Sequence, residues 1–74
     1  MKKLDQILCN VLRIKEEELN DNITMKDVEK WDSLKHMDLI TSIEDELEIQ
    51  FSMDDIISMK DIKTIKNIVK KKLS

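Results

Sequence analysis

The chain has 74 residues, with one Cys, one His and neither Gly nor Pro. A single Cys cannot form a disulfide within the chain, and one Cys with one His cannot complete a metal site. A chain of this length buries only about 60% of its unfolded surface, so helix packing alone must hold the fold. The abundance of Ile, Leu, Lys and Glu favours helices over strands and hairpins.

The charges are segregated along the chain, although the net charge is only −3. Residues 1–15 sum to +3, residues 16–61 to −11 and residues 62–74 to +5. The acidic middle favours basic protein surfaces as partners. The three lysines at positions 70–72 fall where the last turn of a helix favours positive charge. We therefore predict protein partners and no nucleic-acid binding.

The sequence also predicts where the protein acts. No apolar run is long enough to cross a bilayer, and residues 1–5 lack the hydrophobic region of a signal peptide. The unpaired Cys9 suits a reducing compartment. We expect a cytoplasmic monomer without a membrane partner, built from one domain over residues 1–74.

The first predicted helix spans about residues 3–13. Its apolar residues recur at helical spacing and form one stripe, made of Leu4, Ile7, Leu8, Val11 and Leu12. Residues 15–31 then show no sustained helical period, and Asn-Asp-Asn at positions 20–22 is typical of a turn. We predict a long connection there, held to the core by Leu19 and Ile23.

The second predicted helix covers residues 33–47 and has two faces. One face is apolar and should pack in the core; it carries Leu39, Ile40, Ile43 and Leu47. The other face mixes large apolar residues with polar and acidic ones: Leu34, Met37, Asp38, Thr41, Glu44 and Asp45. A face that contacts only solvent would not need the two apolar residues, so we predict that this second face binds partner proteins.

The remaining elements are shorter. Residues 48–51 read as an extended link with Ile49 and Phe51 turned inward, and a capping box that starts at Ser52 predicts a short third helix over residues 53–58. The same pattern starting at Ser58 predicts the cap of the last helix, over residues 61–73. The apolar stripe of that helix is Ile62, Ile65, Ile68, Val69 and Leu73.

The fold class that follows is all-α. The chain should form a four-helix bundle of three long helices and one short third helix around a single core.

The second helix opens on Asp32-Ser33-Leu34. Asp32 or Ser33 could simply cap the helix. A helix start also stabilises a bound phosphate, because its first backbone N–H groups are unpaired and the positive end of the helix dipole lies there. Ser33 is thus suited to carry a phosphodiester, with a mixed face beginning at Leu34 and a long loop before it.

The surrounding sequence resembles the acyl carrier protein family. The resemblance rests on WDSLKHMDLI at residues 31–40, IEDEL at residues 43–47 and IQF at residues 49–51. It is similar in particular to the free-standing carriers that have Trp-Asp-Ser-Leu at the modification site. The order of helices and loop extends the resemblance over essentially the whole chain, which implies a four-helix bundle of the acyl-carrier type.

This resemblance implies a carrier and not an enzyme. A phosphopantetheinyl transferase would move 4′-phosphopantetheine from coenzyme A to Ser33 Oγ, with Asp32 and Leu34 flanking the site. The transferase would supply Mg²⁺ and the catalytic groups, so the chain needs no metal site of its own. Acyl or aminoacyl groups would then be held as thioesters and presented to acyl-loading and acyl-transfer enzymes. Asp38, Glu44 and Asp45 match positions where the family presents acids to those enzymes.

The sequence departs from the family pattern at two places. Lys35 stands where many carriers have Asp or Gly, and Lys30 stands where many have Gly. Both ends of the chain are basic, unlike those of housekeeping fatty-acid carriers. A specialised fatty-acid, polyketide, peptide or cell-surface pathway therefore fits the sequence at least as well as housekeeping fatty-acid synthesis does.

Two other hypotheses are open at this point. An acidic helical interaction module would bind partners without a cofactor. A small serine hydrolase would pair Ser33 with His36, but a triad also needs an oxyanion hole and a pocket. Helical spacing puts His36 on the core side, where we expect it to pack or to hydrogen-bond. Trp31, at the junction of loop and helix, should anchor the loop on the core.

Overall fold

The fold is described by a computed structural model that covers residues 2–29 and 31–74. Lys30, one of the two positions at which the sequence departs from the acyl carrier pattern, lies outside the described residues. The helices are α1 Lys2–Leu12, α2 Ser33–Leu47, α3 Met53–Ser58 and α4 Ile62–Leu73. The predicted all-α architecture, with a short third helix, is confirmed.

The helix bounds follow the local signals in the sequence. Those of α2 and α3 agree with the prediction. The first helix begins and ends one residue earlier than predicted, and the last helix begins one residue later. A single turn of 3₁₀-helix, Glu16–Glu18, was not predicted. None of the helices in the described residues combines the length and the apolar character needed to cross a membrane.

The core is made by one face from each long helix, together with residues that flank the short elements. Trp31 is only 2% exposed and Met59, directly after α3, is fully buried. Leu73 was predicted in the core stripe of α4 but is 49% exposed, because it lies in the last turn, beyond the core. The buried cluster is Leu4, Ile7, Leu8, Leu12, Trp31, Leu39, Ile40, Ile43, Met59, Ile62, Ile65 and Val69.

Two helices end in a left-handed residue, although the chain has no glycine. Arg13 has φ 56° and Glu48 has φ 55°. In each case the next N–H reaches back to a carbonyl in the last turn, from Ile14 to Cys9 at 3.2 Å and from Ile49 to Glu44 at 3.3 Å. This is the helix-ending motif in which glycine is favoured. An ordinary residue there costs about 1 kcal/mol relative to glycine.

The start of α4 differs from the prediction. Asp61 and not Ser58 caps the helix, and Asp61 Oδ1 accepts the Thr64 N–H at 2.7 Å. Ser58 still belongs to α3, where its hydroxyl donates to the Asp54 carbonyl at 2.8 Å. The residues that begin at Ser58 have the same spacing of Ser and Asp as those that begin at Ser52. Ser58 does not cap a helix because it lies inside α3.

The start of α3 is the capping box that the sequence predicted. Ser52 Oγ accepts the Asp55 N–H, and Asp55 Oδ2 accepts the Ser52 N–H, both at 3.1 Å. Lys72 of α4 lies 3.0 Å from the same Asp55 carboxylate and 5.9 Å from the centre of the Phe51 ring. The short helix is thereby joined to the last turn of α4.

The long connection before α2 is packed against the core. Leu19 and Ile23, the predicted anchors, contact the core, and Met25 and Val28 do so as well. The middle of this connection pairs with the start of α4 through an isolated antiparallel bridge between Thr24 and Asp61. Backbone hydrogen bonds of 2.9 and 3.0 Å flank this bridge. The segment that leads to Ser33 is therefore fixed at both ends and in its middle.

Candidate functional site

Ser33 is the first residue of α2 and is exposed, as are its neighbours Asp32 and Leu34. Asp32 is the capping residue, and its Oδ1 accepts the Lys35 N–H at 2.9 Å. The ambiguity in the sequence is thus resolved, because Asp32 makes the cap and Ser33 does not. The Ser33 hydroxyl does not take part in the capping hydrogen bond, and Ser33 is exposed to solvent.

The backbone around Ser33 is suited to an anion. The His36 N–H bonds to the Asp32 carbonyl at 2.8 Å, which closes the first helical turn. The N–H groups of Ser33 and Leu34 precede that turn and have no acceptor within the helix. The positive end of the helix dipole lies at the same place, so a phosphodiester on Ser33 would be stabilised by the helix start. The residues present therefore fit a phosphopantetheine arm.

Trp31 and His36 form a buried hydrogen-bonded pair behind the exposed serine. The Trp31 indole Nε1–H donates to His36 Nδ1 at 3.0 Å, and His36 Nε2 lies 2.9 Å from the Ile56 carbonyl of α3. An indole N–H can only donate and a carbonyl can only accept. The neutral imidazole with its proton on Nε2 satisfies both partners. The ring thus connects the loop, α2 and α3, as expected for a core-side His and an anchoring Trp.

This pair also bears on the hydrolase hypothesis. Both ring nitrogens of His36 are engaged, by Trp31 and by the Ile56 carbonyl. His36 is only 9% exposed, whereas Ser33 is exposed. A general base must reach the hydroxyl proton that it removes. His36 has no free nitrogen with which to do so.

The predicted docking face lies on the exposed side of α2. Leu34 is 77% and Met37 50% exposed, and Asp38, Thr41 and Asp45 are exposed as well. The short helix α3 extends the apolar part with Met53, 69% exposed, and Ile57, 58% exposed. These two residues were missed as surface residues. Their spacing of four puts both side chains on one side of the short helix, and this is the signal that could have revealed them.

Glu44 differs from the other acids of the predicted face. It is half-buried, and its Oε2 accepts the Phe51 N–H at 2.9 Å. One carboxylate oxygen is thus used to hold the link between α2 and α3. The structure gives Glu44 a structural contact that Asp38 and Asp45 do not have.

Cys9 is buried in α1, away from the start of α2 in sequence. Burial raises the pKa of its thiol, and the nearby carboxylates of Glu16 and Asp5 raise it further. A thiol with a raised pKa is a poor nucleophile. Cys9 is therefore a packing residue.

Comparisons with known proteins agree with this geometry. The profile described as a phosphopantetheine attachment site matches residues 2–71 of the chain. The solution structure of a holo acyl carrier protein from Geobacter metallireducens superposes with a TM-score of 0.86 at 30% sequence identity. That match covers 97% of this chain and 83% of the other. A search of curated protein sequences found no match.

Proposed function

The chain belongs to the phosphopantetheine attachment-site family, and from that premise we propose that Ser33 Oγ is the atom that carries the arm. The chain is a carrier protein and not an enzyme, and its cofactor is a covalently attached 4′-phosphopantetheine. One observation supports Ser33 in particular. Asp32 makes the cap of α2, so the adjacent hydroxyl is exposed and is not used to hold the helix.

Attachment requires only a reachable hydroxyl from this chain. A phosphopantetheinyl transferase binds coenzyme A and Mg²⁺ and supplies the base. A bond forms between Ser33 Oγ and the phosphorus that bears the pantetheine, while the pyrophosphate bond of coenzyme A breaks. The leaving group is adenosine 3′,5′-bisphosphate, and the serine proton passes to the base. The bound arm supplies a terminal thiol, on which acyl or aminoacyl groups are held as thioesters.

The exposed side of α2 is the proposed docking face for the transferase and for acyl-loading and acyl-transfer enzymes. Leu34 and Met37 offer apolar contact next to Ser33, while Asp38 and Asp45 with Thr41 offer polar contact further along. Glu44 belongs to the same face through its remaining carboxylate oxygen. Partners with basic surfaces should bind weakly and reversibly, with rates that fall as salt rises.

The charge pattern supports a specialised pathway over housekeeping fatty-acid synthesis. Lys35 places a cation two residues after Ser33, and residues 1–15 and 62–74 are both basic. The partners of this chain should therefore differ in charge from those of a uniformly acidic carrier. The proposed setting is a cytoplasmic monomer that serves a fatty-acid, polyketide, peptide or cell-surface pathway.

The test is covalent loading. The purified chain is incubated with coenzyme A, Mg²⁺ and a phosphopantetheinyl transferase of broad specificity, and intact mass is measured. We expect one addition with the mass of phosphopantetheine, absent from the Ser33→Ala variant. The Ser52→Ala variant is the matched control, since that serine also lies at a helix start, and it should load fully.

Other outcomes would contradict the proposal. If the folded chain accepts no group from several transferases, it is an interaction module that acts without a cofactor. If Ser33→Ala still gains the same mass, the arm is attached at another residue.

A further inference from the structure

His36 is hydrogen-bonded to both of the residues that precede Ser33. Its backbone N–H donates to the Asp32 carbonyl at 2.8 Å, and its ring Nδ1 accepts the Trp31 indole N–H at 3.0 Å. The other ring nitrogen, Nε2, lies 2.9 Å from the Ile56 carbonyl of α3. The imidazole therefore joins the residue before the cap to the first turn of α2 and to α3.

The start of α2 contains two residues that could make the cap, and the choice decides what the Ser33 hydroxyl does. Asp32 makes the cap in the structure, where its Oδ1 accepts the Lys35 N–H at 2.9 Å. A cap at Ser33 would instead use its Oγ to accept the N–H three residues later, which belongs to His36. The Ser33 hydroxyl would then hold the helix, as the Ser52 hydroxyl does at α3.

We propose that His36 is a positioning residue for the attachment of the arm. Its bond to Trp31 holds the backbone at the helix start so that Asp32 makes the cap. Ser33 Oγ is then left out of the cap and open to the transferase. The inference rests on the proposed attachment at Ser33. His36 acts in it through its neighbours, because both of its ring nitrogens are already engaged.

A small bias is enough to decide between the two caps. Asp and Ser are nearly equal as capping residues, and either one needs an extended backbone to make the cap. Asp32 has that backbone, at φ −97° and ψ −174°. The conformation depends on the direction in which the chain enters the helix, and the buried Trp31 directly before Asp32 sets that direction.

The hydrogen bond gives Trp31 an orientation that burial alone does not. Apolar burial is non-directional, whereas a hydrogen bond requires the donor to point at its acceptor. The Trp31 backbone N–H bonds to the Val28 carbonyl at 2.9 Å, so its main chain is held as well as its indole. The Ile56 carbonyl at Nε2 holds the imidazole of His36 in place. The chain therefore enters α2 in one direction.

The test measures the loading of the folded chain by the transferase together with the protection of the Lys35 amide. His36→Phe keeps an aromatic ring and removes both ring hydrogen bonds. We expect kcat for loading to fall several-fold, with KM for the carrier unchanged because the docking face is intact. Solvent exchange of the Lys35 N–H, followed by ¹H–¹⁵N NMR, should become several-fold faster as Asp32 leaves the cap.

Two further variants separate positioning from stability. Trp31→Phe removes only the indole N–H, so it should change kcat and the Lys35 exchange in the same direction, and it serves as the test if His36→Phe does not fold. Ser52→Ala is the matched control, because it weakens the fold at another helix start. Its kcat and its Lys35 exchange should equal those of the wild type.

The outcomes are separable. If the wild type loads on Ser33 and the folded variants of the Trp31–His36 pair keep its kcat, the inference is overturned and the proposed function stands. A lower kcat without faster exchange at Lys35 would also overturn the inference, since the cap would be unchanged. If Ser52→Ala slows loading as much, the effect comes from lost stability and the inference is wrong. If the wild type does not load, the proposed function fails and the inference fails with it.

Discussion

The starts of α2 and α3 both contain a serine, and the two hydroxyls do different work. At α3, Ser52 Oγ accepts the Asp55 N–H at 3.1 Å, so its hydroxyl is used to hold the helix. At α2, Asp32 makes the cap and Ser33 is the first helical residue, with its hydroxyl exposed. A shift of one residue between cap and serine thus separates a structural hydroxyl from one that is open to modification.

The largest expected loss of stability comes from the residue that connects the two starts. His36→Phe would remove both ring hydrogen bonds and leave the Trp31 indole N–H buried without a partner. We expect the free energy of unfolding to fall by about 2–3 kcal/mol. For a domain of this size the melting temperature should fall by roughly 10 °C. Thermal unfolding followed by circular dichroism measures this, and an unchanged melting temperature would show that the pair does not hold the two helices together.

The serines themselves give the next effect. Ser52→Ala should lower the free energy of unfolding by about 1 kcal/mol, because it removes a helix cap. Ser33→Ala should stay within about 0.5 kcal/mol of the wild type, because Asp32 still caps α2. Urea unfolding of the two variants side by side tests the comparison. Equal losses would mean that the Ser33 hydroxyl is also structural.

Acid should weaken the starts of α3 and α4. The Ser52 backbone N–H, and then Lys72, lower the pKa of Asp55, while the Thr64 hydroxyl and N–H lower the pKa of Asp61. Each carboxylate binds protons more readily in the unfolded chain, so stability is present above the ordinary Asp pKa of about 4 and is lost as pH falls through the lowered folded values.

Melting temperatures between pH 6 and pH 2.5 measure this loss. The Asp61→Asn variant keeps a capping oxygen without the charge, so its melting temperature should depend less on pH than that of the wild type. A variant with both Asp55→Asn and Asp61→Asn that is as sensitive to acid as the wild type would refute the explanation.

The smallest effect on stability is expected on the docking face. Asp38→Lys and Asp45→Lys should change the free energy of unfolding by less than about 0.5 kcal/mol. They should slow loading or acyl transfer several-fold at low salt, and the difference should shrink as salt rises. Glu46→Lys is the control, because Glu46 is an exposed acid of α2 outside the predicted face. Equal rates for all three variants would show that Asp38 and Asp45 do not contribute to partner binding.

Local signals carried most of the fold prediction. The bounds of α2 and α3 were predicted because the caps and the apolar periods lie within the elements themselves. Ser33 was identified at the helix start, but Asp32 and Ser33 are equally good caps in sequence. Which one makes the bond depends on the extended backbone of Asp32, at φ −97° and ψ −174°, and this is set by tertiary context.

The misses have more than one cause. Met59 is fully buried and Glu44 bonds the Phe51 N–H, yet neither contact belongs to a periodic stripe. The Ser58 cap was wrong because the same short pattern occurs twice and only one copy lies outside a helix. Met53 and Ile57 are exposed because the six-residue α3 contributes little of its surface to the core.

The bridge between Thr24 and Asp61 has a consequence for the order of folding. Its two residues are far apart in sequence, so closing it requires a large loop, whereas α1 and α2 can form from local contacts. We therefore expect the bridge to close late in folding, once the start of α4 is in place, and the middle of the long connection to become ordered with it. A chain that ends before Asp61 would lack the bridge but would keep the local cap of α2 at Asp32.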